Sequence, residues 1–172
     1  MTPQPTGRRE TRDGHDSVVT DRTFQAPIAS VWAAVTESDR LGRWVGTWTG
    51  DPTTGSVLFR MNAEGDDTAP ETLTIHDCDP PHRLALTSNV EGEQSVWHFL
   101  LELTEDAGTT TLSFSQSVPD AEMASGVGPG WEYYLDRLVA AETGADVAAV
   151  DFDAYYPAQS DHYRALFDHV TG

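Results

Sequence analysis

Gly130-Trp131-Glu132-Tyr133-Tyr134-Leu135-Asp136-Arg137-Leu138 is the stretch that decides the fold. Trp131, Tyr134, Leu135, Leu138 and Val139 recur at helical spacing and predict a helix with one apolar face. Glu132, Asp136 and Arg137 fall opposite and are expected in water. Gly144 is the expected stop, because glycine tolerates the left-handed conformation that follows a last turn. No other long helical pattern follows an all-strand region, so this helix is expected to cover the apolar face of a sheet. Its covering side chains are bulky rings, which can leave irregular space beneath them. Residues 119–130, with Met123 and three glycines, read as a loop leading into it.

Upstream, the chain alternates. Val57, Phe59 and Met61 share one face of a strand over residues 56–61, and Leu73 and Ile75 share one over residues 72–76. Pro80-Pro81 forces a turn, after which Leu84, Leu86 and Ser88 lie together. Beyond a Glu91-Gly92 turn, residues 95–104 set Trp97, Phe99, Leu101 and Leu103 against Val96, His98, Leu100 and Glu102. Ala107-Gly108 turns the chain again, and Leu112, Phe114, Gln116 and Val118 oppose Thr111, Ser113 and Ser115. One apolar and one polar face is the mark of an antiparallel meander wet on one side.

Before the meander, Asp13-Gly14 is a hairpin signal joining residues 8–12 to residues 17–25. Pro27 sits where a helix begins, and Ile28, Val31, Trp32 and Val35 form a helical stripe. Ser38 is the expected cap of a second short helix with Leu41, Trp44 and Val45 inward. Residues 1–7 are expected to fray. After the last sheet-covering helix, residues 147–156 read as irregular and residues 157–170 as a helix striped by Tyr163, Leu166, Phe167 and Val170.

The 172 residues suit one domain, able to bury roughly 70% of the surface of the unfolded chain. Net charge is −18 and the chain has no lysine, which disfavours nucleic-acid and membrane-surface roles and excludes a lysine Schiff base. The acidity reads as a solvated surface, suited to a saline cytoplasm, or as a docking face for a basic partner. Cys78 is the single cysteine, so no intrachain disulfide forms. Residues 1–14 have no signal-peptide core, and no stretch approaches the ~20 apolar residues that span a bilayer. A cytoplasmic location is expected.

For chemistry, His76-Asp77-Cys78 offers close donors, of which strand alternation lets only His76 and Cys78 converge; that is short of a zinc site. His162 and His169 fall on one face of the tail helix and read as surface residues. Ser113, Ser115 and Ser117 lie on the wet face without a nucleophile-elbow motif. Glu132 and Asp136 stand one turn apart and could shift each other's pKa, but amphipathicity places them in solvent. Gly126-Val127-Gly128-Pro129-Gly130 lacks the lysine of a phosphate loop and reads as a hinge onto the sheet. No catalytic residue, metal or cofactor is expected.

Arg22-Thr23-Phe24-Gln25-Ala26-Pro27 with Val31-Trp32 resembles the opening of the bacterial domains named after the activator of the heat-shock-protein-90 ATPase. Thr36-Glu37-Ser38-Asp39-Arg40-Leu41 with Trp44 resembles their second helix, Pro80-Pro81-His82-Arg83-Leu84 their mid-sheet turn, and Gly130-Trp131 their last helix. Phe152-Asp153-Ala154-Tyr155-Tyr156-Pro157 looks like an extension of some actinobacterial members. The resemblance implies an α+β helix-grip fold of the START-like superfamily, in which a curved antiparallel sheet grips the long C-terminal helix around a hydrophobic tunnel. It makes Trp44, Phe59, Met61, Leu86, Trp97, Phe99, Phe114, Gln116, Met123, Trp131 and Tyr134 the expected ligand contacts, with Ser88 as a further polar group. The same rings could instead fill the space as core.

The implied function is binding of a small apolar or amphipathic molecule, by a monomer or homodimer. Two other readings stay open: a polyketide aromatase/cyclase-like enzyme, and a partner-binding module that uses the acidic surface and tail. Eukaryotic chaperone activators carry an additional N-terminal domain absent from this sequence, so direct activation of a chaperone ATPase is not expected.

Overall fold

Asp13 and Gly14 both take positive φ, 49° and 84°, and fold β1 (Arg8–Arg12) back on β2 (His15–Phe24). The computed structural model describes residues 3–61, 70–90 and 96–168; the expected Glu91-Gly92 turn, His169 and Val170 lie outside them. After β2 come helices α1 (Ile28–Thr36) and α2 (Ser38–Leu41), then strands β3 (Gly46–Thr49), β4 (Ser56–Met61), β5 (Glu71–Asp79), β6 (Arg83–Val90), β7 (Val96–Asp106) and β8 (Thr109–Ser117). Helix α3 (Ala121–Thr143) and helix α4 (Ser160–Phe167) follow, separated by two short helical turns. The strands form one antiparallel sheet in the order β1-β2-β8-β7-β6-β5-β4-β3. The sheet wraps one face around α3, which is the helix-grip arrangement.

Register fixes what faces α3. Leu86 pairs with Phe99, Phe99 with Gln116, and Thr20 with Phe114, so these side chains share the inner face. The main core lies there, built from Phe24, Leu101, Leu103, Leu112 and Phe114 of the sheet, Val31 and Val35 of α1, and Leu135 and Leu138 of α3. The outer face is less evenly wet than the alternation suggests. Val19, Leu100 and Ser115 are buried there, beside the stacked rings of His15 and His98 (centroids 3.7 Å apart).

Strand β3 carries too short a pattern to be read from sequence. It exists because Trp48 pairs with Phe59, and because the Ser38 hydroxyl donates to Trp48 O (2.9 Å) and accepts from Trp48 N (3.0 Å). Ser38 therefore anchors a strand; it does not cap α2, whose N-cap is Glu37 with no side-chain bond.

The largest departure is the start of α3. Residues 119–130 were expected as a loop, yet the helix begins at Ala121, with the Asp120 carboxylate accepting from Met123 N at 2.8 Å. Three glycines and Pro129 weigh against helix by about 1 kcal/mol per glycine and about 3 kcal/mol for the proline. Long-range packing reverses this. A Cβ on Gly128 would lie 2.2 Å from the Tyr163 ring, so glycine is what lets α4 seat against α3. Pro129 has no N–H to offer the Ser125 carbonyl one turn back, and the Ser160 hydroxyl of α4 donates to that carbonyl instead, at 2.9 Å. The tail thus completes the helix it packs on, and Gly130 is a mid-helix residue facing open space, not a hinge.

Tyr163 and Phe167 form a second core with Val18, Val118 and Ala124. The apolar stripe of α4 is thereby covered. The segment expected to fray is tied down from residue 3: Gln159 Nε2 donates to Pro3 O (2.9 Å), and Gly7 N donates to the Tyr163 hydroxyl (3.0 Å).

Candidate functional site

A cavity of about 440 Å³ separates the inner face of the sheet from α3, within the range of about 300–1,000 Å³ common for ligand sites. Its roof is Trp131 and Tyr134 of α3; Trp32, Val35, Leu41 and Trp44 wall it from the two short helices, and Trp48 from β3. Phe59, Met61, Leu73, Ile75, Leu86, Trp97, Phe99 and Phe114 form the floor. All five tryptophans of the chain line this space. The rings are fixed by one another and by the backbone. Trp131 lies 4.1 Å, centroid to centroid, from Phe114 and edge-on to Phe99 at 6.0 Å, and its indole N–H donates to Gln116 Oε1. Trp44 and Trp48 donate their indole N–H groups to Ala34 O (3.0 Å) and Thr36 O (2.8 Å), so a polar edge points away from the space while the ring faces it.

Ten of the eleven expected contacts meet around this cavity: Trp44, Phe59, Met61, Leu86, Trp97, Phe99, Phe114, Gln116, Trp131 and Tyr134. Met123 does not. It sits in the first turn of α3, 38% exposed, because the helix starts earlier than expected and carries that residue to the outside.

Sequence reasoning passed over the main polar feature. Glu71 pairs with Phe59, lies on the inner face with Leu73 and Ile75, and lines the cavity. Its Oε2 accepts from the Ser88 hydroxyl at 2.6 Å, and Ser88 is only 1% exposed. The period-two pattern of β5 contains this signal once the strand is started one residue earlier. Cys78 also lines the cavity, while His76 points to the outer face and bonds Thr87 Oγ1 at 2.8 Å. A β-bulge between Ile75 and Asp77 breaks the alternation on which the two were expected to converge. Desolvation, with Asp77 and Asp79 nearby, holds the Cys78 thiol above its usual pKa, which disfavours the nucleophilic thiolate. Among the described residues, no three His, Cys, Asp or Glu side chains gather as a metal site.

Behind the roof, on the other side of α3, Glu132 is 1% exposed and not in water as amphipathicity suggested. It accepts from Thr6 N and Thr6 Oγ1 (each 2.6 Å), Arg22 Nη2 (2.9 Å) and Tyr163 Oη (2.7 Å). Arg22 also bonds Asp136 Oδ1 at 2.9 Å, and Asp136 Oδ2 accepts from Tyr155 at 2.6 Å. Burial alone would raise the Glu132 pKa, but the bonds from Thr6, Arg22 and Tyr163 outweigh it and hold the carboxyl below its usual value. Burial and Glu132 together push the Tyr163 phenol far up. Every partner here is a structural element, so the cluster acts as a clasp between the N-terminal segment, β2, α3 and the tail.

The profile of the family described as Activator of Hsp90 ATPase homolog 1-like protein matches residues 25–142. Among solved structures, CalU16 from Micromonospora echinospora is 25% identical, with a TM-score of 0.74 over 95% of this chain and 96% of that one. DynU16, a protein in the dynemicin biosynthetic locus, is 27% identical over 76% of this chain and 49% of its own, with a TM-score of 0.65. A Bordetella parapertussis protein shares the fold at 22% identity and a TM-score of 0.68, over 98% of this chain and 97% of its own. No curated protein matches the sequence. Among the described residues, no helix is long and apolar enough to cross a membrane.

Proposed function

We propose, from the premise that the chain belongs to the Activator of Hsp90 ATPase homolog 1-like family, that it binds a small hydrophobic or amphipathic molecule between sheet and α3 without transforming it. One observation carries the reading: a ring-lined space of about 440 Å³ persists where a filled core would leave none. The lining rings supply apolar area, while Glu71, bonded by Ser88, and Gln116, bonded by Trp131, supply a few polar points. Native mass spectrometry and thermal-shift screening against fatty acids, flavonoids and polyketides test this. Binding that raises the melting temperature and is lost in Leu73→Trp, which fills the floor, supports it. A protein that retains nothing and shifts with nothing rejects it.

A second reading is favoured by Glu71, which lines the cavity and accepts from the buried Ser88 behind it, and by the likeness to a protein of a biosynthetic locus. In it, the pocket folds a polyketide chain and a polar group assists proton transfer, as in aromatase/cyclases. Tyr134→Phe then removes turnover and leaves binding intact, whereas a binding protein shows no turnover to lose. A location in the cytoplasm and an unassisted monomer or homodimer complete the proposed picture. The partner-docking reading has less support, because the tail's apolar stripe is covered by α3 and the N-terminal strands.

A further inference from the structure

The charge inside the cavity is one-sided. Among the described residues, Glu71 is the single charged side chain that lines the cavity. The chain has no lysine, and its ten arginines all lie among the described residues with none lining the cavity. Arg137 of α3 donates to Trp44 O at 2.9 Å, and Arg22 of β2 faces Glu132 and Asp136. None of the ten arginines is therefore placed to receive a ligand carboxylate, sulfonate or phosphate.

Among the described residues, Glu71 has a single hydrogen-bond partner. Ser88 donates to one oxygen, Oε2, whereas a carboxylate accepts up to about four hydrogen bonds. Phe59 flanks it across the ladder, and aromatic and aliphatic side chains make up the rest of the floor and walls. An acceptor held rigidly at the edge of a ring-lined space selects a donor, and it rejects an anion because two carboxylates cannot share the site without one giving up its charge. The rings themselves favour a cation over an anion at their faces.

Resting on the ligand-binding reading above, we propose that the cavity is selective for donor-bearing apolar molecules, neutral alcohols or phenols and protonated amines, which hydrogen-bond Glu71, and that it excludes anionic amphiphiles such as fatty acids.

The test uses three probes with the same tail: dodecylamine, 1-dodecanol and dodecanoate, titrated calorimetrically into the full chain. About 1 M sodium chloride screens the overall negative charge beyond about 3 Å, so that only contact with Glu71 distinguishes the heads. The amine and the alcohol are expected to bind about tenfold tighter than the carboxylate. Glu71→Gln keeps the shape and removes the charge, and is expected to shrink that ratio to about twofold. Dodecanoate binding as tightly as the alcohol overturns the proposal from the unaltered protein alone, as does a ratio that Glu71→Gln leaves unchanged; in both cases the cavity still binds. Failure of all three probes, or binding that Leu73→Trp does not weaken, rejects the cavity reading and the selectivity with it.

Discussion

The Tyr163 hydroxyl donates to Glu132 Oε2 at 2.7 Å, and the ring of the same tyrosine lies against Gly128, one turn earlier on α3. Tyr163 is fully buried, and its hydroxyl also accepts from Gly7 N. One residue of the tail thus joins the N-terminal segment and both halves of the long helix. The roof of the cavity is held from behind by residues that never reach it.

Glu132→Gln is expected to cost about 3 kcal/mol in denaturant unfolding, since it leaves Arg22 buried with only Asp136 to neutralise it. The sign of the pH effect follows from the lowered carboxyl pKa. The unfolded chain binds the proton first as pH falls, so the stabilisation is present above the usual value of 4.5 and is lost as pH drops through the folded value. Unfolding free energies measured through this acid range should show that slope in the unaltered protein and a shallower one in Glu132→Gln.

The α3 glycines should respond oppositely to alanine. Gly128→Ala drives a methyl into the Tyr163 ring and is expected to lower stability by about 1–3 kcal/mol. Gly126→Ala and Gly130→Ala meet open space and should each raise stability by roughly 0.5–1 kcal/mol. Thermal melts of the three single variants decide the matter.

Ser160→Ala is expected to cost about 1–3 kcal/mol, because it strands the buried Ser125 carbonyl. Pro129→Ala restores the helical N–H that this carbonyl lacks. In the Pro129→Ala background the cost of Ser160→Ala should therefore fall sharply, and a double-mutant cycle measures the coupling. Strict additivity would show that the hydroxyl does not substitute for the missing donor.

On the outer face, His98 should titrate below the ordinary 6.5, through desolvation and then through the charges of His15 and His76. Its neutral form is the one the fold favours. The unfolded chain takes up the proton first, so this residue's contribution to stability declines as pH falls below 6.5. Ring-proton NMR gives the midpoint, and His15→Ala should move it upward.

The meander was legible because each strand carries its own inward apolar side chains at period two, and seven of the ten expected contacts that meet around the cavity lie on those strands. What escaped was non-local. The start of α3 depends on Tyr163 and Ser160, more than thirty residues downstream of the positions they satisfy, with separations of 35 for Ser125–Ser160 and 31 for Glu132–Tyr163. Glu132 looks like a solvent-facing residue in any window of its own helix; only the arrival of Arg22 and Tyr163 makes burial tolerable. Glu71 was missed for a smaller reason, a strand end set one residue short.

The five tryptophans have a practical consequence. Trp32, Trp44, Trp48, Trp97 and Trp131 all border the same space, and the chain has no others. Indole emission responds to polarity and to quenching groups within contact range, so the intrinsic fluorescence of this protein reports on the cavity with no background from tryptophans elsewhere. Occupancy can be followed optically without a label, in a chain that offers no lysine amine to attach one.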